Sequence, residues 1–123
     1  MTFEERKEQV KSYLGKNVII SIDRPIGYTH YKENYSLTYP INYGYIPDVI
    51  GGDGEELDVY LIGVNEPVTE YECQIIAIAH RNDDIEDKLI GAPIGMRFSE
   101  KQIKDAINFQ EQYYDTEIEV FNG

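Results

Sequence analysis

The sequence contains one cysteine, no tryptophan and no long apolar run. Because Cys73 has no second cysteine to pair with, the chain cannot form an internal disulfide, which favours a reducing, cytoplasmic setting. No apolar stretch approaches the ~20 residues that span a bilayer, and the charged first ten residues lack the apolar core of a signal peptide. We therefore expect a cytoplasmic protein without a membrane anchor.

Basic residues are also scarce: 11 lysines and arginines stand against 23 acidic residues, which gives a formal net charge of −12. A field of this sign repels nucleic acid and anionic membrane surfaces, so we expect neither as a partner. Most of the acidic side chains are expected to keep the surface hydrated. The alternative is that some of them converge on a hard cation. The spacing of the acidic residues in the sequence is what distinguishes these two interpretations.

The 123 residues, 41% of them hydrophobic, suit one domain over residues 1–123. Thr2 and Glu5 form a capping-box pattern, and Ser99 is expected to cap a second helix. The pattern predicts helices over residues 2–14 and from 99 onward, and strands over 18–22, 39–46, 57–63, 73–79, 88–92 and 118–121. Residues 23–38 are expected to be irregular, with turns at 51–54 and 82–84. This order predicts an α+β, mostly β fold: a small, mostly antiparallel barrel or curled sheet with a helix packed on it.

An acidic segment, DGEELD, runs from Asp53 to Asp58. Gly54 lets the backbone turn so that Asp53 and Glu55 can face one space, and Asp58 lies between apolar residues of a predicted strand. A charge there is costly unless it is paired or binds a metal, and clustered carboxylate oxygens are the ligands that Mg²⁺ requires. The alternative interpretation is an acidic surface turn with one solvent-facing charge.

A second charged segment, residues 80–89, joins two predicted apolar strands and is expected to form the tip of a hairpin. Because side chains alternate along a strand, Glu86 and Lys88 should share a face. A carboxylate beside a lysine suits a site for metal and phosphate, and a solvated turn is the alternative. His80 is also compatible with a packed, hydrogen-bonded histidine.

A third segment, YPINYGYI at residues 39–46, is rich in tyrosine. A phenol has an apolar body and a hydroxyl that can donate to a phosphate oxygen, although an aromatic core strand would have the same composition. This segment, followed by DGEELDV at 53–59 and KLIGAP at 88–93, resembles the soluble (family I) inorganic pyrophosphatases in order and spacing. The resemblance covers residues 18–114. It implies a five-stranded OB-like barrel with peripheral helices, and hydrolysis of inorganic diphosphate to two phosphates with Mg²⁺ as cofactor.

The resemblance also implies roles for the acidic residues. Glu55 falls where the family has the aspartate thought to activate the attacking water. Asp83 to Asp87 leave the remaining metal positions ambiguous, because this turn is a residue shorter than in the family. The implied metal ligands are Asp53, Asp58, Glu86 and Asp84, with Asp87 as the runner-up to Asp84.

Phosphate-binding side chains are implied in the same way. Tyr43 and Lys88 would stabilise the charge that develops on the leaving phosphate. Asp23 and Lys32 have the nine-residue spacing of an acid and a phosphate-binding lysine in the family. The implied substrate-binding residues are Tyr43, Lys88, Tyr113 and Lys32, with Arg24 or Arg81 in place of the family's arginine.

The chain departs from the family at several positions. Glu55 and Glu56 replace the usual aspartate and proline, Tyr114 replaces a lysine, and the hairpin between Lys32 and Tyr39 is short and lacks an arginine. These changes leave two alternatives open: a related hydrolase of another small diphosphate or nucleotide, and a non-catalytic binding module. The family often forms multimers, but no apolar stripe in this sequence marks an interface, so homo-oligomerisation is left open.

Overall fold

The computed structural model describes residues 2–50, 55–82 and 86–122. Within these ranges the chain forms two helices and eight strands. In chain order they are α1 (Phe3–Lys11), β1 (Asn17–Arg24), β2 (Thr29–Tyr31), β3 (Ser36–Thr38), β4 (Asn42–Ile50), β5 (Glu56–Leu61), β6 (Glu70–Arg81), β7 (Asp87–Ala92), α2 (Glu100–Glu111) and β8 (Thr116–Val120).

Five strands close into a barrel in the order β1-β4-β5-β7-β6, and a second pairing of β1 with β6 completes the ring. All of these pairs are antiparallel except β5 with β7, which run parallel. Closure leaves the barrel without free edges, and β8 pairs with the end of β6 that β1 does not cover. The predicted mostly antiparallel, OB-like barrel with peripheral helices is confirmed.

Alternating side chains divide the core between the two faces of the sheet. Val59 and Leu61 of β5 belong to one apolar cluster, which Val10 of α1 joins. Tyr60, between them, belongs to the other cluster, which includes Ile103 of α2. The period-2 alternation of strands therefore places α2 against the face that carries Tyr60 and, two residues earlier, Asp58.

The capping residues act as predicted. Thr2 accepts a hydrogen bond from the Glu5 backbone, and the Glu5 side chain accepts one from Thr2 in return. Ser99 and Gln102 form the same reciprocal pair at the start of α2. The prediction of a helix to residue 14 was wrong, because α1 ends at Lys11 and a turn leads to Gly15, whose φ of 83° suits glycine.

Residues 23–38 were predicted to be irregular, which was wrong at both ends. Asp23 and Arg24 continue β1, and β2 pairs with β3 as a separate two-stranded hairpin. Its β-branched Thr29 and Thr38 lie opposite each other with their hydroxyl oxygens 2.9 Å apart. The other strands were found within four residues of their predicted ends. The turn at 51–54 and residues 83 and 84 of the second turn lie outside the described residues.

Gly44 of β4 is required by a close approach between two strands. A Cβ at this position would lie 1.8 Å from the Ser21 carbonyl oxygen of β1. The pairing of β1 with β4 also shifts register between Ile22 and Arg24. The glycine in the tyrosine-rich segment thus allows β1 and β4 to cross closely, which brings Arg24 beside Tyr43. Neither helix of the described chain is long and apolar enough to cross a lipid bilayer.

Candidate active site

The site is organised around the ammonium of Lys88, which is only 3% exposed. Its Nζ donates to the Tyr43 hydroxyl at 2.9 Å and to Asp58 Oδ2 at 2.5 Å. It also contacts Glu86 Oε1. An ammonium has three N–H donors, and here each has an acceptor. The prediction that Glu86 and Lys88 share a face is confirmed, with Glu86 immediately before β7.

Three barrel strands position this cluster. Val59 of β5 pairs with Leu89 of β7 in the parallel ladder, so the preceding residues, Asp58 and Lys88, point together to the opposite face. Tyr43 comes from β4, on the other side of β5. Burial and the nearby charge of Asp58 raise the pKa of Tyr43 well above its ordinary value, so its hydroxyl stays protonated at neutral pH.

Two further acidic residues, Asp23 and Glu56, lie in the neighbourhood of Asp58. Burial raises the pKa of Asp23 above its ordinary value, and the negative charges of Asp58 and Glu56 add to this effect. Glu56 Oε2 accepts a hydrogen bond from the Asp48 backbone at 3.2 Å. Asp23 therefore lies within reach of the charges of both Asp58 and Glu56.

Arg24, like Lys88, lies close to the Tyr43 ring. Its Nη1 donates to the Tyr39 hydroxyl at 2.5 Å, and that hydroxyl donates to Gln110 Oε1 of α2 at 2.8 Å. The guanidinium carbon lies 5.7 Å from the centre of the Tyr43 ring and 6.0 Å from that of Tyr28. Arg24 is therefore held by aromatic faces and one phenol beside the cluster, in a place suited to an anion.

Arg81 is bound mainly to Glu111 and shares Glu86 with Lys88. Nε and Nη2 donate to the two carboxylate oxygens of Glu111 at 3.0 and 2.6 Å, and Tyr60 donates to Glu111 at 2.5 Å. The guanidinium carbon lies 3.7 Å from the centre of the Tyr114 ring, and Nη1 reaches Glu86 Oε2 at 3.4 Å. Of the two arginines offered as replacements for the family's arginine, Arg24 is thus the one near the tyrosine-rich segment.

Glu111 is a member of this network that the sequence analysis missed. Burial alone would raise the pKa of its carboxyl, but hydrogen bonds from Arg81 and Tyr60 outweigh that effect and hold the pKa below its ordinary value. A signal was present in the sequence. Glu111 follows Ile103 and Ile107 at four-residue spacing, on the buried face of a predicted helix, where an unpaired charge would be costly.

Lys32 and Tyr113 both lie near Tyr35, which is in the turn of the β2–β3 hairpin. The Lys32 ammonium lies 5.9 Å from the centre of the Tyr35 ring, and that ring lies 6.0 Å from Tyr113. Tyr113 follows α2 and is 60% exposed. These two predicted phosphate-binding residues therefore come together, but at Tyr35 rather than at Lys88.

Asp87 lies on the opposite face of β7 from its neighbour Lys88. It accepts hydrogen bonds from Lys7 of α1 at 2.7 and 2.8 Å, and His80 Nδ1 lies 3.4 Å away. Burial would raise the pKa of Asp87, but His80 and Lys7 outweigh this effect and lower it. His80 also bonds Glu119 at 2.9 Å, as the interpretation of a hydrogen-bonded histidine predicted.

Part of the predicted metal site cannot be placed. Asp53, Asp83 and Asp84 lie outside the described residues, and Glu55 follows the gap directly as an exposed residue. Among residues 2–50, 55–82 and 86–122, no three acidic, histidine or cysteine side chains lie close enough together to hold a metal ion. The oxygen donors of Asp58 and Glu86 fit a hard ion such as Mg²⁺ in chemistry, but the ammonium of Lys88 lies between them.

Comparison with known proteins points to one family. The family model described as inorganic pyrophosphatase matches residues 10–122. An inorganic pyrophosphatase of Rickettsia prowazekii is 32% identical over 94 residues, which cover 63% of this chain and 55% of the relative. One from Saccharolobus solfataricus is 38% identical over 79 residues, covering 61% of this chain and 42% of the relative. The chain spans about half the length of these curated relatives.

Solved structures agree on the fold. The crystal structure of inorganic pyrophosphatase from Ehrlichia chaffeensis superposes with a TM-score of 0.67 at 17% identity, covering 88% of both chains. The structure of an inorganic pyrophosphatase from Coxiella burnetii gives a TM-score of 0.61 at 16% identity, covering 87% of this chain and 86% of the other. At these identities the likeness establishes a common barrel fold.

Proposed function

Because the chain belongs to the inorganic pyrophosphatase family, we propose that it hydrolyses inorganic diphosphate to two phosphates with the help of Mg²⁺. The observation that carries the proposal is the buried ammonium of Lys88, held between Tyr43 and two carboxylates at the barrel surface. Cations and carboxylates in one cluster suit a substrate that is itself a concentrated anion and arrives with metal ions.

Asp58 and Glu86 are the described residues that would hold the metal, together with Asp53 and Asp84 from the undescribed segments. The contacts count against Asp87, the runner-up to Asp84, since Asp87 is engaged by Lys7 and His80 on the far face of β7. Bound Mg²⁺ would lower the pKa of a coordinated water and neutralise phosphate charge.

The side chains of the chain itself bind and orient the substrate in this proposal. Lys88 and Tyr43 donate to the phosphate that leaves, and Arg24 adds a guanidinium near the Tyr43 ring. Lys32 and Tyr113, at the hairpin, hold the outer part of the substrate. Glu55 takes the proton of the attacking water.

The setting proposed is cytoplasmic, with a small diphosphate as the partner and neither nucleic acid nor membrane, in line with the net charge of −12. Cys73 is fully buried, and burial raises the pKa of its thiol to about 12, so it remains protonated and unreactive at neutral pH.

A second candidate is hydrolysis of an organic diphosphate such as a nucleoside diphosphate. It is favoured by the tilted pair of exposed rings, Tyr35 and Tyr113, beside Lys32, because aromatic faces stack on nucleobases. Phosphate release from inorganic diphosphate and from nucleoside di- and triphosphates, compared at the same Mg²⁺ concentration, separates the two. We expect inorganic diphosphate to be the preferred substrate. A preference for a nucleotide would favour the second candidate. If no substrate released phosphate, the protein would be a binding module.

Glu55 is expected to be the water-activating base. Replacing it with Gln should lower turnover by about 10²–10⁴-fold, the usual contribution of a general base, and leave the dissociation constant for Mg²⁺ nearly unchanged. Glu56→Gln is the matched control, since Glu56 is adjacent and accepts a hydrogen bond from the Asp48 backbone. Both variants are measured by phosphate release and by calorimetric titration with Mg²⁺. A dispensable Glu55 and an essential Glu56 would contradict this assignment.

A further inference from the structure

Lys88 already uses its full donor capacity before any ligand is present. Its three N–H groups are taken by Tyr43, Asp58 and Glu86, and its side chain is almost completely shielded from solvent. In this arrangement the ammonium has no donor left for a phosphate oxygen. For Lys88 to contact substrate, at least one of the three existing contacts has to break.

The two carboxylates are also occupied. Glu86 offers Oε1 to Lys88 and has Oε2 3.4 Å from Arg81 Nη1, so each of its oxygens faces a cation. A metal ion that binds Glu86 comes close to both of these cations, and repulsion between like charges in a partly buried site favours the displacement of one of them.

Lys88 is the cation that can leave. Arg81 is fixed by two hydrogen bonds to Glu111 and by the Tyr114 ring against its guanidinium. Lys88 instead has a flexible four-carbon stem, which can re-aim the ammonium without moving the barrel. Asp58, the other carboxylate it holds, is more open to solvent than the ammonium, so a metal ion can approach from outside.

We propose that Lys88 is an internal cation that occupies the Asp58–Glu86 pair in the metal-free protein, and that metal binding displaces its ammonium and makes it available to a phosphate oxygen. Metal and lysine compete for the same oxygens, so phosphate binding by Lys88 depends on the metal being in place. The binding of a phosphate oxygen by the displaced ammonium rests on the proposed function, whereas the displacement of the ammonium by a metal ion does not.

The test is the affinity for Mg²⁺ alone, without substrate, measured by calorimetric titration. Lys88→Met removes the competitor and should tighten Mg²⁺ binding by about tenfold or more, the scale of one charge-assisted hydrogen bond that no longer has to be broken. Arg24→Met is the matched control. It removes a positive charge that also lies near the Tyr43 ring, but its hydrogen bond is to Tyr39 rather than to a carboxylate, and it should change the affinity much less.

Unchanged or weaker Mg²⁺ binding in Lys88→Met would overturn the inference, as would an equal gain in Arg24→Met, which would show a general effect of charge. Absence of Mg²⁺ binding by the wild-type protein would overturn both the inference and the proposed function. A third outcome is possible: the wild-type protein releases no phosphate from diphosphate, but Lys88→Met still binds the metal more tightly. This result would contradict the proposed function and would still support the displacement of Lys88.

A second measurement observes the ammonium of Lys88 directly in the wild-type protein. A buried ammonium with three acceptors exchanges its protons slowly, so its ¹H–¹⁵N resonance should be visible in the metal-free wild-type protein, with Lys88→Arg used to assign it. Saturating Mg²⁺ should shift this resonance or remove it by faster exchange with water. A resonance that is unchanged at saturating Mg²⁺ would show that Lys88 keeps its place, and would overturn the inference even if Lys88→Met does not fold.

Discussion

Asp58→Asn is expected to fold and to lose Mg²⁺-dependent hydrolysis of diphosphate by a factor of about 10² or more. The carboxylate is a metal ligand in the proposed site, and a catalytic metal supplies several kcal/mol of charge stabilisation. In the structure it also accepts a hydrogen bond from Lys88 at 2.5 Å, and the amide would weaken that contact too. The measurement is the rate of phosphate release at saturating Mg²⁺, with circular dichroism to show that the barrel is intact.

Glu56→Gln serves as the control for this variant too, because Glu56 lies two residues earlier on the same face of β5 and also faces Asp23. Its rate should stay close to that of the wild type. An Asp58→Asn protein with a near-normal rate would place the site away from Lys88.

Asp58→Asn is also expected to lower the stability of the fold. The sequence alone indicates a carboxylate in an apolar strand, which is costly to folding when it has no partner. In the structure Lys88 is that partner, so replacing the carboxylate with an amide removes a stabilising contact.

Glu111→Gln is expected to destabilise the fold by about 3–5 kcal/mol at neutral pH, the usual cost of breaking a buried ion pair by removing one partner. Arg81 would lose its charged partner while remaining buried, with Nε and Nη2 donating to a neutral amide. The free energy of unfolding in urea measures the effect. Asp105→Asn is the control on the same helix, because its pair with Lys101 is exposed and should contribute little to stability.

The cost of Glu111→Gln should also depend on pH. The pKa of Glu111 is lower in the folded protein than the ordinary value of 4.5. Its stabilising contribution is therefore complete above about pH 4.5 and disappears as the pH falls through the folded-state pKa. The difference in stability between wild type and Glu111→Gln should be largest at neutral pH and shrink in acid. A difference that is small at pH 7, or that grows as the pH falls, would show that the charge of Glu111 does not hold Arg81.

Local patterns predicted much of the fold correctly. Residues a few positions apart predicted the Thr2 capping box, the Ser99 cap, the apolar strand β5 and the shared face of Glu86 and Lys88. Such patterns depend on the short repeats of helix and strand, which the sequence displays directly.

The contacts that assemble the site depend on distant residues. Asp58 meets Lys88 because β5 and β7 pair in parallel across 30 residues, and Arg81 meets Glu111 across the same separation. No periodicity encodes such pairings, and the same alternation in β5 would have been compatible with a solvent-facing Asp58. The short β2–β3 hairpin was missed because its three-residue strands are too short to show a pattern.

The central claim is that this barrel is a Mg²⁺-dependent diphosphatase. The most direct measurement is phosphate release from inorganic diphosphate by the purified protein, followed first with the metal chelated and then after millimolar Mg²⁺ is added. The account predicts almost no release in chelator and steady turnover once Mg²⁺ is present. Turnover that is equally fast in chelator, or no release under either condition, would contradict it.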